Sequence, residues 1–467
     1  MLFNSVNFAC FFLLFYLVYV SLRGAARNVW LLAAGYVFYA SWDWRFLALL
    51  LTTTVVDYGV GLGIGFTDSR GRKRLLLCLS LLVNLGILFT FKYFNFFADN
   101  LTALLQVLGL NADPITLRIL LPVGVSFYTF RSITYTVDIY RGQAAPTRNL
   151  LHYAVFVSFF PELIAGPIER ARTFLPQIAS ERNITYPMVR EGAWLLLLGL
   201  FKKVVIADNM AVIADTVFNA PSEHHGLAVL LGVYAYTLQI YGDFSGYSDM
   251  ARGVARLMGF DPILNFRMPY FSMNPQEFWH RWHISLSTWL RDYLYISMGG
   301  NRKGRFRTYA HLFMTMLLGG LWHGAAWNFI FWGAYHGAAL IVHRLWRELR
   351  GAPETAPGLW TRLTCIFLTF HMAAFGWILF RVKTIGDAGV MLRNLAVPAL
   401  SRPDWLLHIL LFSWPLFLLH LMKERSGDML VVKKWPGPVR FIVYMLLFAF
   451  IVLCGRVENY EFIYAQF

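Results

Sequence analysis

Two histidines, His323 and His283, are the residues whose type and position in this sequence are best suited to chemistry. His323 lies in the run GGLWHGAAWNFIFWG, between strongly apolar stretches and without an acidic neighbour that would make it half of a salt bridge. An ionisable side chain at membrane depth is costly, so it is usually paired, lines a water-filled cavity or has a function. Because imidazole also exchanges protons near neutral pH, we predict that His323 is the principal catalytic residue.

The second histidine belongs to an amphipathic segment. Residues 275–298 are too polar for a membrane span, but their apolar side chains recur with helical periodicity, which predicts one interfacial or partly embedded helix. On this helix His283 lies at the edge of the apolar face, whereas His280 and Ser285 lie on the polar face. The pattern therefore predicts that only His283 points inward. Its role stays open between a buried imidazole that fixes a helix crossing and a functional group.

Two interior histidines suit acyl transfer. One would accept a proton from an attacking hydroxyl, and the other would orient the acyl group or stabilise developing charge. They could equally belong to a metal site, but zinc needs a third or fourth ligand, and the sequence contains no HExxH motif and no close carboxylate pair. We favour a site without metal.

The elements that position these residues are predicted to be membrane helices. The chain has 467 residues, of which 58% are hydrophobic and 14% charged, and its mean hydropathy is +0.52. These values predict a polytopic membrane protein. The net charge of +15 suits cytoplasmic loops and lipid head groups, and without a soluble basic domain it does not favour nucleic acid. Hydropathy predicts spans near residues 5–22, 29–42, 44–65, 75–97, 115–137, 310–322, 326–343, 361–380, 405–422 and 439–455. A less regular stretch between them has apolar runs at 151–165, 192–217 and 226–241, so that roughly eleven to thirteen full or partial crossings are predicted.

Basic residues orient these spans. The turns after the first, third and fifth spans hold eight Lys or Arg residues against one, Arg45, in the turns after the second and fourth, which places the N-terminus outside. Basic groups also flank residues 310–343 on both sides, which predicts a helical hairpin with cytoplasmic ends and with His323 near a tip inside the membrane. The alternative is a packed hairpin whose glycines, Gly319, Gly320 and Gly324, merely allow close helix approach.

Other polar residues occur at membrane depth. Residues 238–253 contain Asp243 and Ser245 among Gly and Tyr, which predicts non-helical backbone or a helix break that lines a cavity. A serine nucleophile is less favoured, because FSGYS is not a GxSxG elbow and no strand precedes it. Residues 159–170 are predicted to form a re-entrant turn, and Lys202 and Lys203 to extend to a membrane interface. Without an internal repeat, one integral-membrane domain over residues 1–467 is the simplest prediction.

Three segments together resemble the membrane-bound O-acyltransferase (MBOAT) family, in its bacterial AlgI-like branch: QIYGDFSGYSDMARG, NFRMPYFSMNPQEFWHRWHISLSTWLRDYLYISMGGNRKG and MLLGGLWHGAAWNFIFWGAYHG. The C-terminal ENYEFIYAQF is similar to the ending common in that branch. The resemblance covers essentially the whole chain, with its motif core at residues 238–337. It implies an all-α polytopic membrane fold of about eleven transmembrane helices, with re-entrant and amphipathic helices around a central tunnel.

The resemblance also implies catalytic residues. The near-invariant histidine of the family corresponds to His323 in LWHG, and the second family position corresponds to His283 in RWHxSLS. The basic loop that contains Arg302 and Lys303 is a candidate for binding coenzyme A phosphates, although an ordinary positive-inside loop explains it equally well. We predict substrate-binding roles for Trp322, Asn328, Asp243, Ser245, Trp282, Arg302 and Lys303.

The implied activity is transfer of an acetyl group from a cytoplasmic thioester, acetyl-CoA above all, to an exported polysaccharide such as alginate in the bacterial inner membrane, without a bound cofactor. Peptidoglycan or cellulose acetylation and D-alanyl transfer are the alternatives. A periplasmic SGNH-type O-acetyltransferase or acceptor protein is implied as a partner. A transporter or flippase would instead show inverted repeats and midplane carboxylates, and a secretion scaffold would need no catalytic histidine.

Overall fold

The computed structural model describes residues 1–110, 113, 116–117, 119–351, 357–456 and 462–463, and the regular secondary structure of these ranges is entirely helical. Most of the C-terminal ENYEFIYAQF ending lies outside the described residues. The chain forms two compact units, Met1–Gly192 with Ala251–Ile263, and Ala193–Met250 with Leu264–Phe467. The single domain over residues 1–467 stays a prediction, and the units are described in turn.

The first unit contains eight complete α-helices within its described residues. They are α1 (Val6–Ser21), α2 (Gly24–Ala40), α3 (Leu47–Phe66), α4 (Arg70–Leu88), α5 (Phe94–Val107), α6 (Val125–Tyr140), α7 (Leu150–Val157) and α8 (Ala171–Ala179). The unit boundaries fall within α9 (Tyr186–Leu200) and, later in the chain, at residue 250 within the long α11.

The second unit carries the segments that were singled out for chemistry. Its helices are α10 (Asp208–Asn219), α11 (Leu227–Leu257), α12 (Pro275–Arg281), α13 (Ile284–Trp289), α14 (Arg305–His323), α15 (Trp327–Arg350), α16 (Leu359–Arg381), α17 (Ile385–Leu395), α18 (Asp404–Ser426) and α19 (Gly437–Cys454).

Six described helices are long and apolar enough to cross a membrane. They are Trp44–Phe66, Arg70–Val107, Leu227–Leu257, Leu359–Arg381, Asp404–Ser426 and Gly437–Cys454. Five of them overlap predicted spans and Leu227–Leu257 begins in the apolar run at 226–241, which confirms an all-α, multi-pass membrane protein. The total of about eleven membrane helices stays a prediction.

A buried polar cluster ties three helices of the first unit together. Asp57 on α3 accepts hydrogen bonds from Ser80 Oγ at 2.6 Å and from Asn84 Nδ2 at 2.8 Å, both on α4. Ser80 Oγ also lies 3.0 Å from Thr136 Oγ1 on α6. Because each of these side chains is fully buried, the hydrogen bonds offset the cost of placing a carboxyl group inside the unit.

The segment predicted to form a re-entrant turn is buried irregular backbone in the first unit, and its position in the membrane stays a prediction. After a short 3₁₀ turn at Phe160–Glu162, residues 163–170 have no helical structure, and all of them are buried. Glu162 forms an ion pair with Arg131 of α6 at 3.1 Å, and Glu169 Oε1 accepts a hydrogen bond from the backbone of Ile263 at 2.7 Å. Buried irregular backbone is thus held by side-chain contacts, as membrane-depth loops require.

In the second unit, α14 and α15 form the predicted antiparallel hairpin. Glycines allow its close packing: a Cβ atom on Gly320 would collide with the carbonyl oxygen of Phe329, and one on Gly333 with that of Met316. Small residues let helices approach in this way inside membranes. The hairpin and its tip near His323 are confirmed.

Helix α11 corrects one prediction. Residues 238–253 are not irregular backbone but the continuous middle of the 31-residue α11. The polar side chains in this stretch are compatible with a helix because partners outside the helix satisfy them, as for Asp243, which pairs with Lys203 at 2.8 Å. Buried polar groups in helices are tolerated when they are paired in this way.

Two wide π-helical segments interrupt the helices of the second unit. Phe201–Ala207 joins α9 to α10, and Leu290–Tyr295 follows α13. The first of them buries Lys202 and Lys203, which pair with Asp249 at 2.7 Å and with Asp243, respectively. The prediction that these lysines extend to a membrane interface is therefore wrong. π-segments of this kind frequently occur at functional sites.

Candidate active site

His283 lies at the junction between α12 and α13, where the backbone adopts a left-handed conformation. Its φ and ψ angles are 42° and 55°, a region that residues with a Cβ atom rarely occupy. The next residue, Ile284, donates its N–H to the carbonyl oxygen of Asn265 at 2.9 Å, and His283 itself has no exposed surface. Its orientation is thus set by a strained turn inside packed structure.

This turn corrects the predicted helix over residues 275–298. The helix is broken at His283, because a left-handed residue cannot continue an α-helix. The predicted inward position of His283 and outward position of His280 are both found. Ser285, however, was predicted on the polar face and is fully buried, since the break changes the direction of every later side chain.

Asn265 determines which ring nitrogen of His283 carries the proton. Its Oδ1 atom lies 3.0 Å from His283 Nδ1, 2.9 Å from Ser285 Oγ and 3.3 Å from the backbone nitrogen of Ser285. A backbone N–H can only donate, so the shared atom is the oxygen, and His283 must donate to it from Nδ1. The unprotonated nitrogen of His283 is therefore Nε2.

Burial also keeps this imidazole neutral. Removal from solvent lowers the pKa of His283 to about 3, because the charged form loses its hydration. Phe244 of α11 meets the ring edge-on, with 4.6 Å between ring centroids. His283 is consequently suited to accept a hydrogen bond at Nε2 but poorly suited to take up a second proton there.

His323 is the last residue of α14, and aromatic rings surround it. The ring centroids of Trp322, Trp332 and Phe380 lie 5.0, 5.0 and 5.2 Å away, and only 4% of His323 is exposed. Trp322 also lies 6.2 Å from the ring of His283. The two predicted catalytic histidines are therefore neighbours of the same indole.

A cavity of about 740 Å³ reaches His323; we call it the larger cavity. His323, Trp332 and Gly319 line it near the hairpin tip, and Arg344 and Arg347 line it further along α15. Trp332 and Arg347 are fifteen residues apart on that helix, or about 22 Å at 1.5 Å per residue. The larger cavity is thus lined by the imidazole of His323 near the hairpin tip and by the guanidinium groups of Arg344 and Arg347 near the C-terminal end of α15.

A second cavity of about 370 Å³, the smaller cavity, has a more polar wall. Asp243, Asn328 and Lys203 line it together with Phe380, whose ring is the one in contact with His323. Asn328 donates to the carbonyl oxygen of Val382 at 3.0 Å. His323 therefore lines the larger cavity and contacts the wall of the smaller one.

The remaining predicted substrate-binding residues lie away from these cavities. Trp282 is buried against Trp377, with 4.7 Å between centroids, and Ser245 is buried without lining either cavity. Arg302 and Lys303 are exposed and do not line the larger cavity, although the preceding Asn301 does. All the assigned catalytic and binding roles stay predictions.

Sequence reasoning missed Asn265, which holds His283, and the wall formed by Trp332 and Phe380. Asn265 stands in the motif segment NFRMPYF, but no spacing links it to a histidine eighteen residues later. Its only local signal is an amide in a short polar interval between apolar runs.

Comparison with known proteins places this site in a family. The profile of the MBOAT, membrane-bound O-acyltransferase family matches residues 141–382, a range that contains both histidines and Asn265. The chain belongs to the membrane-bound O-acyltransferase family. It is a multi-pass membrane O-acyltransferase.

Three relatives of this O-acyltransferase illustrate the range of its matches. The "Probable alginate O-acetylase AlgI" of Pseudomonas putida is 46% identical over 393 residues, which cover 84% of this chain and 79% of that protein. The "Peptidoglycan O-acetyltransferase" of Helicobacter pylori is 35% identical over 85% of this chain and 80% of its own length. The "Teichoic acid D-alanyltransferase" of Bacillus subtilis is 31% identical over 56% of this chain and 69% of its own length.

Proposed function

We propose that this O-acyltransferase moves an acetyl group from an acyl thioester, acetyl-CoA or a related donor, to a hydroxyl group during the O-acetylation of an exported polysaccharide such as alginate. The observation that carries the proposal is the place of His323, which lines the larger cavity and contacts Phe380 in the wall of the smaller one. A group at this point can meet a donor from one cavity and an acceptor from the other.

The chemistry needs one base and one positioning group. The acceptor hydroxyl oxygen attacks the thioester carbonyl carbon while its proton passes to the imidazole of His323. The tetrahedral intermediate then expels the thiolate, which takes the proton back from His323, so that an ester and a free thiol result. Asn265 fixes the proton of His283 on Nδ1, so His283 accepts a hydrogen bond at Nε2 from a second donor group of the acceptor molecule and thereby holds it in place. The aromatic rings around His323 exclude water that would hydrolyse the thioester.

Charge supports the direction of transfer. Arg344 and Arg347 line the larger cavity toward the C-terminal end of α15, the end that the distribution of basic residues assigns to the cytoplasm. Guanidinium groups suit the phosphates of a cytoplasmic donor. The smaller cavity then takes the acceptor from the periplasmic side, with the protein in the bacterial inner membrane and its N-terminus outside.

The similarity to the alginate O-acetylases, at 46% identity over most of the chain, favours alginate as the final acceptor. A periplasmic SGNH-type O-acetyltransferase or acceptor protein is the proposed partner that completes transfer to the polymer. The second candidate is peptidoglycan, which the Helicobacter pylori relative favours.

The substitution H323A tests the proposal in the native host. We expect loss of acetyl groups from the exported polysaccharide at an unchanged amount of protein in the membrane, measured by ester analysis and by immunoblot. H152A is the matched control, because His152 lies on α7 and lines neither cavity. Acetylation that persists in H323A would remove His323 from the mechanism. Loss of acetyl groups from peptidoglycan, with the secreted polysaccharide unaffected, would select the second candidate.

A further inference from the structure

Helix α11 contacts the buried pair of His283 and Asn265 through two residues that lie one turn apart. Phe244 meets the imidazole ring of His283 edge-on, with 4.6 Å between ring centroids. Ser248 follows four residues later and therefore lies on the same face of the helix. Its Oγ atom accepts a hydrogen bond from Asn265 Nδ2 at 3.1 Å. One face of α11 thus contacts both the imidazole and the amide that holds it.

The Asn265 amide is held at both of its ends. Its Oδ1 atom accepts hydrogen bonds from His283 and Ser285, and its Nδ2 atom donates to Ser248. The backbone N–H of Ser285 can only donate, so this group selects the direction of the amide, whereas a hydroxyl group can donate or accept. Ser248 adds a second point of attachment, which restrains rotation of the amide about its Cβ–Cγ bond.

Buried ion pairs fix the rotation of α11 about its own axis. Asp249 directly follows Ser248 and pairs with Lys202 at 2.7 Å, and Asp243 pairs with Lys203 at 2.8 Å. Both lysines belong to the π-segment Phe201–Ala207. Because the rotation of a helix sets the direction of every side chain on it, these pairs also set the direction in which Ser248 points.

The surroundings of Ser248 do not suit a nucleophile. It is 2% exposed and lines neither the larger nor the smaller cavity, so an acyl thioester in either cavity does not reach it. Within the described residues, the hydrogen-bond partner of its hydroxyl group is the amide of Asn265. An amide does not take up the proton that an activated nucleophile must lose. The hydroxyl group therefore serves to hold the amide.

We propose that Ser248 is a positioning residue for His283 and acts through the amide of Asn265. This inference rests on the proposed function, in which His283 accepts a hydrogen bond from the acceptor molecule at Nε2. An amide held at both ends keeps the imidazole in one orientation. Without the hydroxyl group of Ser248, the amide and the imidazole both gain rotational freedom, and a smaller fraction of the protein presents Nε2 in the reactive orientation.

Acetyl transfer by membranes of matched protein content tests the proposal. In S248A the Asn265 Nδ2 atom loses its acceptor, and we expect the rate to fall about 5- to 10-fold, the effect of one ordinary hydrogen bond. S248T keeps the hydroxyl group and should retain most of the wild-type rate. T237V is the matched control on α11, because Thr237 is equally buried but bonds the carbonyl oxygen of Val233 in its own helix at 2.7 Å. Its rate should equal that of the wild type.

The double variant S248A/N265A separates positioning from a general loss of packing. N265A removes the amide on which Ser248 acts, so the double variant should be as active as N265A alone. A loss through packing, or the loss of a nucleophile, would instead multiply the two effects. S248C has a similar size and a weaker acceptor, and its rate should fall between those of wild type and N265A, which decides the matter if S248A does not fold.

Two results would overturn the proposal: a double variant that is again 5- to 10-fold slower than N265A, or wild-type rates in S248A and S248C. The experiment also distinguishes this inference from the proposed function. An N265A rate equal to that of the wild type would reject the proposed role of His283 itself. The expected fall in N265A, together with an unchanged rate in S248A, would retain that role and reject only the part assigned to Ser248.

Discussion

Asn265 Oδ1 and His283 Nδ1 lie 3.0 Å apart, and both residues are fully buried; this contact leaves Nε2 of His283 as the unprotonated ring nitrogen. The same oxygen also accepts from Ser285, so that rotation of the amide would break three contacts at once. The orientation of His283 is therefore built into the residues around it before any substrate binds.

Removing this amide should impair catalysis more than folding. In N265A the imidazole loses the acceptor that fixes its proton, and we expect acetyl transfer to fall roughly 100-fold, the lower end of the range of general acid–base effects. N265D keeps an oxygen in the same place and should retain more activity than N265A. Acetyl transfer by membranes of matched protein content checks this order, and an N265A rate equal to that of the wild type would contradict it.

The burial of His283 predicts a dependence of stability on pH. Its pKa is about 3 in the folded protein and about 6.5 when unfolded. Between pH 3 and pH 6.5 the imidazole is protonated in the unfolded state but not in the folded state. The free energy of unfolding therefore decreases as the pH falls below about 6.5. The loss reaches about 2 kcal/mol at pH 5.

The variant H283Q has no side chain at this position that can take up a proton. Lowering the pH from 7.5 to 5 should therefore reduce the unfolding temperature of the wild type more than that of H283Q. Thermal unfolding in detergent at both pH values measures it. A difference that does not change with pH would show that His283 titrates alike in both states.

Close approach in the α14–α15 hairpin makes Gly320 sensitive to any side chain. In G320A the new methyl group would collide with the carbonyl oxygen of Phe329, and overpacking of this kind costs about 1–3 kcal/mol. G59A is the matched control on α3, where a Cβ atom meets no atom within 4 Å. We expect a lower unfolding temperature for G320A only, and equal values for the two variants would refute the close approach.

Lys203 should matter more for stability than its neighbour in the cavity wall, Lys383. Lys203 is 5% exposed and pairs with Asp208 at 2.9 Å and with Asp243 at 2.8 Å, whereas Lys383 is exposed. In K203A two buried carboxylates lose their cation, a change that typically costs about 3–5 kcal/mol.

The comparison of K203A with K383A separates pairing from mere proximity to the cavity. Yield of folded protein and unfolding temperature should drop in K203A and stay unchanged in K383A. The same fall in both variants would mean that the buried pairs contribute little.

Much of this architecture could be predicted from the sequence, because apolar runs, flanking charges and the hairpin of residues 310–343 are local patterns. The isolation of His323 in an apolar run also marked the hairpin tip correctly. Two features could not be predicted. A helical wheel assumes the same rotation at every residue, and nothing local indicates that His283, unlike a glycine, adopts a positive φ.

The second failure concerns long-range pairing. Asp243 suggested a helix break because its partner, Lys203, lies forty residues earlier and is brought to it only by folding. A pattern that is read along one segment contains no information about such a partner. The same limit hid Asn265, which holds His283 from eighteen residues earlier in the chain.

The π-segment at Phe201–Ala207 makes the arrangement of the charged residues around it sensitive to the deletion of a single residue. A π-turn holds one residue more than the α-turn that it replaces, so deletion of a single residue there would restore a regular helix. Because the π-turn accommodates the additional residue locally, the helices on both sides could keep their packing, and the side chains within the segment, Lys203 among them, would be the ones displaced from their partners. In this part of the protein, an alignment gap of one position would separate relatives that have the charged wall of the smaller cavity from relatives that lack it.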